Sequence, residues 1–408
     1  MLKIRIAVLH HALGRFGGGE KIAILHSIYL KKMGFDVELF YNGPILSDWK
    51  KRAYSSVSFN YLSSGIPRSL KDLRNLARLI KYLRTFDAVL VHHHVCPLLA
   101  LYLVNTPKLK VLWYCGEPLR ALWEDWLSGL DYRELSPTVK STSLEFYGKS
   151  LTSLFLSNPL YDFSTSILRA IDKITANRYV AIMANSKYTK GILERVYGRK
   201  EPISVVYPGI EVQESAAKRR SQMREMGDYI LTVGAFIPMK NYPTLLKSFK
   251  LLQSSYNKKD INMVIVGQGP LEHEVKSLIR KHEIKNVTII SRVKEEDLRD
   301  YYINCRFVVH IAVHEPFGLV PVEAAVYRKP SIVSNAGGIR EFIVDGENGF
   351  LTNPYDVNKI ARLMNILLED KSLLNRMGSK ARETALSNFT IERSTESLKG
   401  MINLYLNN

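Results

Sequence analysis

Short apolar runs alternate with helical stretches along this chain, and the alternation occurs twice. In the first half, "KIRIAVLH" is followed by a glycine loop and the helical segment "EKIAILHSIYLKKMG". Then come "DVELFY", a helix around residues 68–84, "DAVLVHHH" and "KVLWYC". The second half repeats the syntax with "YILTVGAF", "INMVIVGQG", "VTIISRV" and "RFVVHIAV", each separated from the next by a helical segment. These runs are nearly continuous in apolar residues. Strands of that kind belong to parallel sheets covered on both faces by helices. The expected class is therefore α/β. The rhythm breaks in "VVYPGIEVQESAAKRRSQMREMGDYI", which places a linker at about 207–226. Two domains follow, 1–207 and 208–390, with an amphipathic helix in 391–408 after the second is complete. The stretch 130–170 is rich in Leu, Tyr, Phe and Ser and fits the rhythm poorly, so it reads as helical insertions.

A length of 408 residues suits two cores, and 46% apolar with 24% charged residues is an ordinary globular balance. The net charge of +18 is uneven. Residues 1–207 hold 29 Lys and Arg against 16 Asp and Glu, whereas 208–408 hold 28 against 23. A basic first half attracts phosphates, whether on nucleic acid, on lipid headgroups or on a small ligand. Three cysteines without a CxxC argue against a disulfide framework or a zinc site and suit a reducing cytosol. The opening "MLKIRIAVLHHALGRFGGGE" reads as a first strand rather than a signal peptide. No run of about 18 apolar residues exists, so no transmembrane helix is expected.

The stretch "HEPFGLVPVEAAVYRKP" carries the sharpest chemistry: Glu315 and Glu323 sit in an otherwise apolar segment. Gly318 and Pro321 suggest a loop turning into a helix over about 318–328, with the proline in the first turn, where a missing N–H costs little. The preceding strand ends where ligands of open α/β sheets bind. The helix start offers free N–H groups and a positive dipole end, which favour a phosphate. Carboxylates beside it can accept hydrogen bonds from sugar hydroxyls. The plain alternative is that both are solvated charges, or that Glu315 caps a helix.

The segment 314–351 resembles the E-x7-E region of family 4 retaining glycosyltransferases, which have the GT-B fold. "LTVGAFIPMKN" is similar to that family's donor-phosphate lysine segment, and "VIVGQGPLE", "NSKYTKGILERVYGR" and "VVYPGIE" resemble its other signatures. "RFGGGE" resembles the glycine loop of mannosyltransferases that build lipid-linked oligosaccharides, and "YCGEPLRALWED" a Tyr-Cys-His-x-Pro-x-Arg stretch of many members. The resemblance implies roles residue by residue. Glu315 meets the hydroxyls of the transferred sugar, and Glu323 meets the ribose. Lys240 neutralises the departing diphosphate. Backbone N–H groups at Phe317, Gly318 and Leu319 face sugar and phosphates. Gly17, Gly18 and Gly19 let the first-domain loop approach the diphosphate, and Arg292 and Val293 line the base pocket. Two positions depart from the pattern. Ala235 stands where an arginine is usual. Gly116 stands where a histidine near the sugar is usual, and Glu117 or Arg120 are candidates to compensate, with His94 a further candidate at the edge of the site.

Other features carry plainer readings. His92, His93 and His94 end a strand, where successive side chains alternate faces, so the three do not jointly grip a metal. "VGQGP" reads as a tight strand-to-helix turn. No Asp-x-Asp occurs, which removes a common diphosphate metal clamp. In "RSLKDLRNLARLIKYLR", Leu70, Leu73, Leu76, Ala77, Ile80 and Leu83 recur at helical spacing, with Arg68, Lys71, Arg74, Arg78, Lys81 and Arg84 on the remaining surface. Such a helix covers a sheet, and its basic side also suits anionic headgroups.

The expectation is then two Rossmann-like domains, each with a parallel sheet, facing a central cleft. The first binds the acceptor, the second binds the nucleotide-sugar, and the last helix packs back on the first domain. The reaction implied by the resemblance is metal-independent transfer of a hexose with retention, needing no cofactor beyond the donor. GDP-mannose is the favoured donor and a glycan or lipid-linked hydroxyl the acceptor, at the cytosolic face of a membrane with anionic lipid and no nucleic acid involved. Two alternatives remain open at this point: a non-catalytic nucleotide-sugar-binding protein, and a basic nucleic-acid-binding protein.

Overall fold

The computed structural model of the protein describes residues 3–11, 13, 17–42, 58–62, 70–94, 97–119, 122–123, 160–212, 227–291 and 293–406. The chain divides into two compact units. One takes the described residues up to Gly209 together with those from Ile391 on, and the other runs from Ile210 to Thr390.

The first unit contains strands β1 (Arg5–His10), β2 (Asp36–Asn42), β3 (Ser58–Leu62), β4 (Ala88–His92), β5 (Lys110–Cys115), β6 (Ala181–Ala184) and β7 (Ser204–Val205). They form one sheet in the order β3-β2-β1-β4-β5-β6-β7, with every neighbouring pair parallel. Its helices are α1 (Gly18–Lys32), α2 (Leu70–Leu83), α3 (Pro97–Val104), α4 (Leu160–Ala176) and α5 (Lys187–Tyr197). Ile6 to Leu9 and Ala88 to Val91 are wholly buried, which is why β1 and β4 read as unbroken apolar runs. Each buried Val, Leu or Ile contributes about 1.5–3 kcal/mol. The start and stop of α5 are written locally. Ser186 accepts from Thr189 N at 2.9 Å, and Gly198 closes the last turn at φ 57° with its N–H on Glu194 O. On α2 the apolar face differs from the expected one. Ile80 and Leu83 are buried and Leu79 packs on the core, but Ala77 is exposed. A small side chain at the border of the stripe gains little by burial, and the longer Leu79 reaches the core instead. Arg78, Lys81 and Arg84 are exposed, and the side chains of Arg68, Lys71 and Arg74 lie outside the described residues. The insertions expected over 130–170 are also outside them up to 159, and α4 begins at Leu160.

The second unit contains β8 (Tyr229–Val233), β9 (Asn262–Val266), β10 (Val287–Ile290), β11 (Val308–His310), β12 (Ser331–Ser334) and β13 (Gly349–Thr352), in the order β10-β9-β8-β11-β12-β13. This sheet is parallel throughout as well. Its helices are α6 (Tyr242–Ser255), α7 (Glu272–Lys281), α8 (Glu295–Asn304), α9 (Leu319–Val326), α10 (Val357–Glu369) and α11 (Lys371–Asn388). Asp356 and Asp370 cap α10 and α11 by accepting from Lys359 N and Leu373 N, each at 2.8 Å. A final helix, α12 (Ile391–Leu406), belongs to the first unit and packs on α1. His26 Nε2 of α1 lies 2.8 Å from Ser394 Oγ of α12, and Leu398 and Ile402 are fully buried. That second covering layer explains why α1 is buried continuously from Ile22 to Leu30 rather than on one stripe.

Both sheets reverse their direction of growth once. The chain builds outward from β1 through β2 and β3, then returns to place β4 on the other flank of β1. It does the same around β8, returning to place β11. Such switch points leave a crevice outside the carboxyl ends of the two diverging strands, where backbone groups are open to a ligand.

Candidate active site

In the second unit the switch point falls between Val233, the end of β8, and His310, the end of β11. After β8 the chain passes Gly234 and makes a short 3-10 turn, Pro238–Lys240. Asn241, at φ 52°, ends that turn, and its side-chain amide donates to Pro354 O at 2.7 Å. Gly234 leaves room for the lysine stem: a Cβ there would meet Lys240 carbons at 3.3–3.4 Å. After β11 the loop carries Glu315. Val313 N donates to Met239 O at 2.7 Å and so ties the glutamate loop to the lysine turn.

The result is an ion pair between residues 75 positions apart in sequence: Lys240 Nζ donates to Glu315 Oε2. Their side chains are 14% and 17% exposed. His310 Nε2 lies 3.5 Å from the same oxygen. Burial alone would push the Glu315 carboxyl up, but the charge of Lys240 and the contact with His310 reverse this and hold it well below the usual carboxylate range. The His310 imidazole is pushed down by its burial and by Lys240, against the pull of Glu315, and is neutral at pH 7. The site therefore presents one carboxylate, one cation and one neutral imidazole. A carboxylate can accept from sugar hydroxyls, and the ammonium can neutralise a phosphate oxygen.

Strained backbone holds this loop. His314 has φ 58° and Gly318 φ 86°. Gly337, after β12, has φ 87° and ψ −172°, a conformation open essentially to glycine alone. It also permits contact with the glutamate backbone, because a Cβ there would fall 2.5 Å from Glu315 O. Gly338 N donates to that same oxygen at 2.8 Å. Gly318 immediately precedes α9, Leu319 begins it and Pro321 lies in its first turn. Phe317 is buried and packs on Phe389. Glu323, one turn into α9, accepts from Tyr302 Oη of α8 at 2.8 Å. Burial and the nearby Glu323 push the Tyr302 phenol far up, so it stays a donor. Val293 packs on the same core layer, and Arg292 lies outside the described residues. Ala235 is exposed and brings no charge. The "VGQGP" turn does pack tightly, since a Cβ on Gly269 would meet Phe236 N at 2.6 Å.

In the first unit the switch point lies between His10 and His92. The glycine loop follows β1, and Gly18 and Gly19 open α1. His92 is fully buried, His93 sits at φ 61°, and burial pushes His94 down to about 4. Glu117 is half-buried, with its carbonyl accepting from Cys115 Sγ at 3.1 Å, whereas Arg120 is outside the described residues. Among the described residues, no group of three or more His, Cys, Asp and Glu side chains is arranged to hold a metal, and no helix is long and apolar enough to cross a membrane. Cys115 and Cys305 are buried free thiols.

Four residues of the second-unit site escaped the sequence reading. His310 had a signal, a histidine ending the strand that leads into the Glu315 loop. The Gly337-Gly338 pair also had one, a paired glycine just after a strand. Tyr302 had none, because its partner is 21 residues away on another helix.

Two parallel sheets, each with polar groups at its switch point, fit a GT-B architecture, and comparison with known proteins supplies the class, a glycosyltransferase. The family model described as glycosyl transferases group 1 matches residues 213–384, and the one described as glycosyltransferase family 4 matches residues 16–214. The chain belongs to the family 4 glycosyltransferases. It is 26% identical over 204 residues to an uncharacterised glycosyltransferase of Methanocaldococcus jannaschii, a match covering 50% of this chain and about half, 53%, of that relative. It is 22% identical to the α-1,3/1,6-mannosyltransferase ALG2 of Dictyostelium discoideum, over 98% of each chain. Among solved structures, HepE of Anabaena in complex with UDP and glucose superposes with a TM-score of 0.76 at 18% identity, covering 98% of this chain and 99% of that one.

Proposed function

We propose that this enzyme moves a hexose, mannose favoured, from a nucleotide-diphosphate sugar to a hydroxyl of a glycan or lipid-linked acceptor, with retention and without a metal. The observation that carries the reading is the Lys240–Glu315 pair at the β8/β11 switch point, beside the start of α9. Glu315 receives the sugar hydroxyls and Lys240 the diphosphate. Glu323, oriented by Tyr302, receives the ribose. Backbone N–H groups from Phe317 to Leu319 complete the phosphate cradle. Lys240 then acts where charge develops as the leaving group departs. No nucleophile is assigned: the departing diphosphate takes the acceptor proton while the acceptor oxygen bonds to the anomeric carbon from the face being vacated. Mannose is favoured by the RFGGGE likeness, by the ALG2 relative and by the O-antigen chain mannosyltransferase RfbU of Salmonella typhimurium, 26% identical over 190 residues. The HepE complex with UDP-glucose keeps a uridine donor in the test. The exposed Arg78, Lys81 and Arg84 of α2 suit peripheral contact with anionic lipid at the cytosolic face.

A panel of GDP- and UDP-sugars, scored for hydrolysis and for thermal stabilisation, tests the reading. GDP-mannose is expected to give the largest shift. Glu315→Gln should abolish turnover with little change in fold. Absence of stabilisation by any nucleotide or nucleotide-sugar would sink the proposal.

A further inference from the structure

His310 is a histidine in an apolar setting. It ends β11, its side chain is 3% exposed, and its register partner on β12 is Val333. The ring has a hydrogen bond with the Val233 backbone at the end of β8. Nε2 is buried and has no hydrogen-bond partner among the described residues, since Glu315 Oε2, at 3.5 Å, is beyond ordinary hydrogen-bonding reach. The Val233 contact therefore falls to Nδ1. A backbone carbonyl accepts, so Nδ1 carries the proton of the neutral ring and Nε2 presents a lone pair. Two acceptors, Nε2 and the carboxylate oxygen, then lie 3.5 Å apart with no proton between them. Buried polar atoms are rarely left in that state without a reason. The charged groups that act on the ring are Lys240, on the turn after β8, and Glu315, on the loop after β11. In the free site Lys240 Nζ donates to Glu315 Oε2, and its charge makes a proton on Nε2 both unnecessary and unfavourable.

We propose that His310 is a positioning residue that takes up a proton when the donor's diphosphate draws the Lys240 ammonium away from Glu315, and so keeps Glu315 an ionised acceptor for sugar hydroxyls. The inference rests on the donor reading above and deepens it. One ammonium shared between a carboxylate and a diphosphate leaves the carboxylate short of positive charge. Glu315 is only 17% exposed, and burial alone would push its carboxyl up. Without a substitute cation the carboxyl would take the proton itself, and one of its oxygens would turn from acceptor to donor. Nε2 stands where it can take that proton instead. The balance is one proton from solvent to Nε2, while Lys240 keeps its own three throughout. The new N–H donates to Glu315 Oε2, and a closer approach, to about 2.8 Å, makes the contact a charge-assisted hydrogen bond. When the diphosphate leaves, the ammonium returns to Glu315 and the proton returns to solvent. Binding that takes up a proton strengthens as pH falls.

Calorimetric titration of the full chain with GDP-mannose and with UDP-glucose counts the proton. Both diphosphates are esterified at each end, so neither probe has a phosphate that titrates near pH 7. Each titration is run in HEPES and in Tris, whose ionisation enthalpies differ, and the difference in heat gives the protons taken up. The wild type is expected to take up about half a proton or more per donor bound at pH 7. Its Kd is expected to tighten as pH falls from 8 to 6, by up to about tenfold per pH unit where a full proton is taken up. His310→Gln keeps a polar side chain but has no basic nitrogen, and is expected to bind without uptake and with a Kd that does not follow pH. Glu315→Gln removes the charge to be compensated and is expected to bind without uptake as well. A histidine with a merely structural role leaves the uptake and the pH profile of His310→Gln like those of the wild type. That result overturns the inference, and so does wild-type uptake below about a tenth of a proton at both pH 7 and pH 6. If His310→Gln does not fold, Glu315→Gln decides, and uptake retained in it overturns the inference. If neither sugar nucleotide binds, and GDP and UDP do not bind either, the donor reading fails and this one with it. Binding without a proton sinks this one alone.

Discussion

Replacing Lys240 by alanine strips Glu315 of its counter-charge while leaving the carboxylate in place, only 17% exposed on a loop held by His314, Gly318 and Gly337. Breaking a buried pair from one side costs about 3–5 kcal/mol. Two features lower that figure here. Both side chains retain some exposure, and His310, 3.5 Å from the carboxylate, can take up a proton and serve as a weaker partner. About 2 kcal/mol is the resulting expectation, roughly 4–8 °C in Tm for a unit of this size. The pH dependence supplies an internal control. In the wild type the Glu315 pKa is depressed. Its contribution is therefore present above the unfolded value, about 4.3, and is lost as pH falls toward the folded one. Without Lys240 the burial contribution dominates, and the carboxyl takes up its proton at higher pH. The gap between wild type and Lys240→Ala should then be widest near pH 7, narrow toward pH 4 as the variant's carboxyl takes up its proton, and close only as pH falls further toward the depressed wild-type value. Glu315→Gln should cost less, about 1 kcal/mol, since the lysine stem can turn its ammonium toward water. Calorimetry from pH 7 to pH 4 measures all three proteins. Equal melting temperatures for wild type and Lys240→Ala at pH 7, or a gap that does not change with pH, would refute the assignment of a buried charge pair.

Gly337→Ala should lose about 3 kcal/mol, from the left-handed backbone and the 2.5 Å approach to Glu315 O, and should lower turnover with it; urea denaturation and donor hydrolysis report both. Tyr302→Phe deletes the 2.8 Å hydrogen bond to Glu323. It should cost about 1.5 kcal/mol and raise KM for the donor severalfold with kcat nearly unchanged, read by steady-state kinetics. His26, fully buried between His92 and Ser394, is pushed down to about 3 by its burial. The stability this neutral histidine gives is complete above its unfolded value, about 6.5, and drains as pH falls toward 3, at up to about 1.4 kcal/mol per pH unit. His26→Gln should flatten the slope of urea midpoints between pH 7 and pH 5.

Much of this protein was legible in the one-dimensional pattern. Continuous apolar runs such as "KIRIAVLH" and "RFVVHIAV" announce strands buried on both faces, because a half-buried strand would alternate instead. Pro321 and Gly318 announce where α9 begins, since both act through local backbone geometry. The short strands β3, β6, β12 and β13 were not singled out. Segments such as "AIMA" and "GFLT" are too brief to show a period, and they are strands only because a parallel neighbour supplies their hydrogen bonds. The same division holds at the site. Glu315 and Lys240 stood out through their motifs, but nothing in sequence says that they meet. Their pairing needs β8 and β11 to be neighbours, and that adjacency follows from the chain's return across the sheet. His93 shows the limit most clearly. Along the chain it is one of three consecutive histidines. Its place between Gly19 and Gly116 is set by three strand ends converging at a switch point. The residue types, their local backbone preferences and their periodicity were determined by the sequence alone. Which distant side chains share one small volume was decided by tertiary structure, because steric exclusion and charge pairing act through space rather than along the chain.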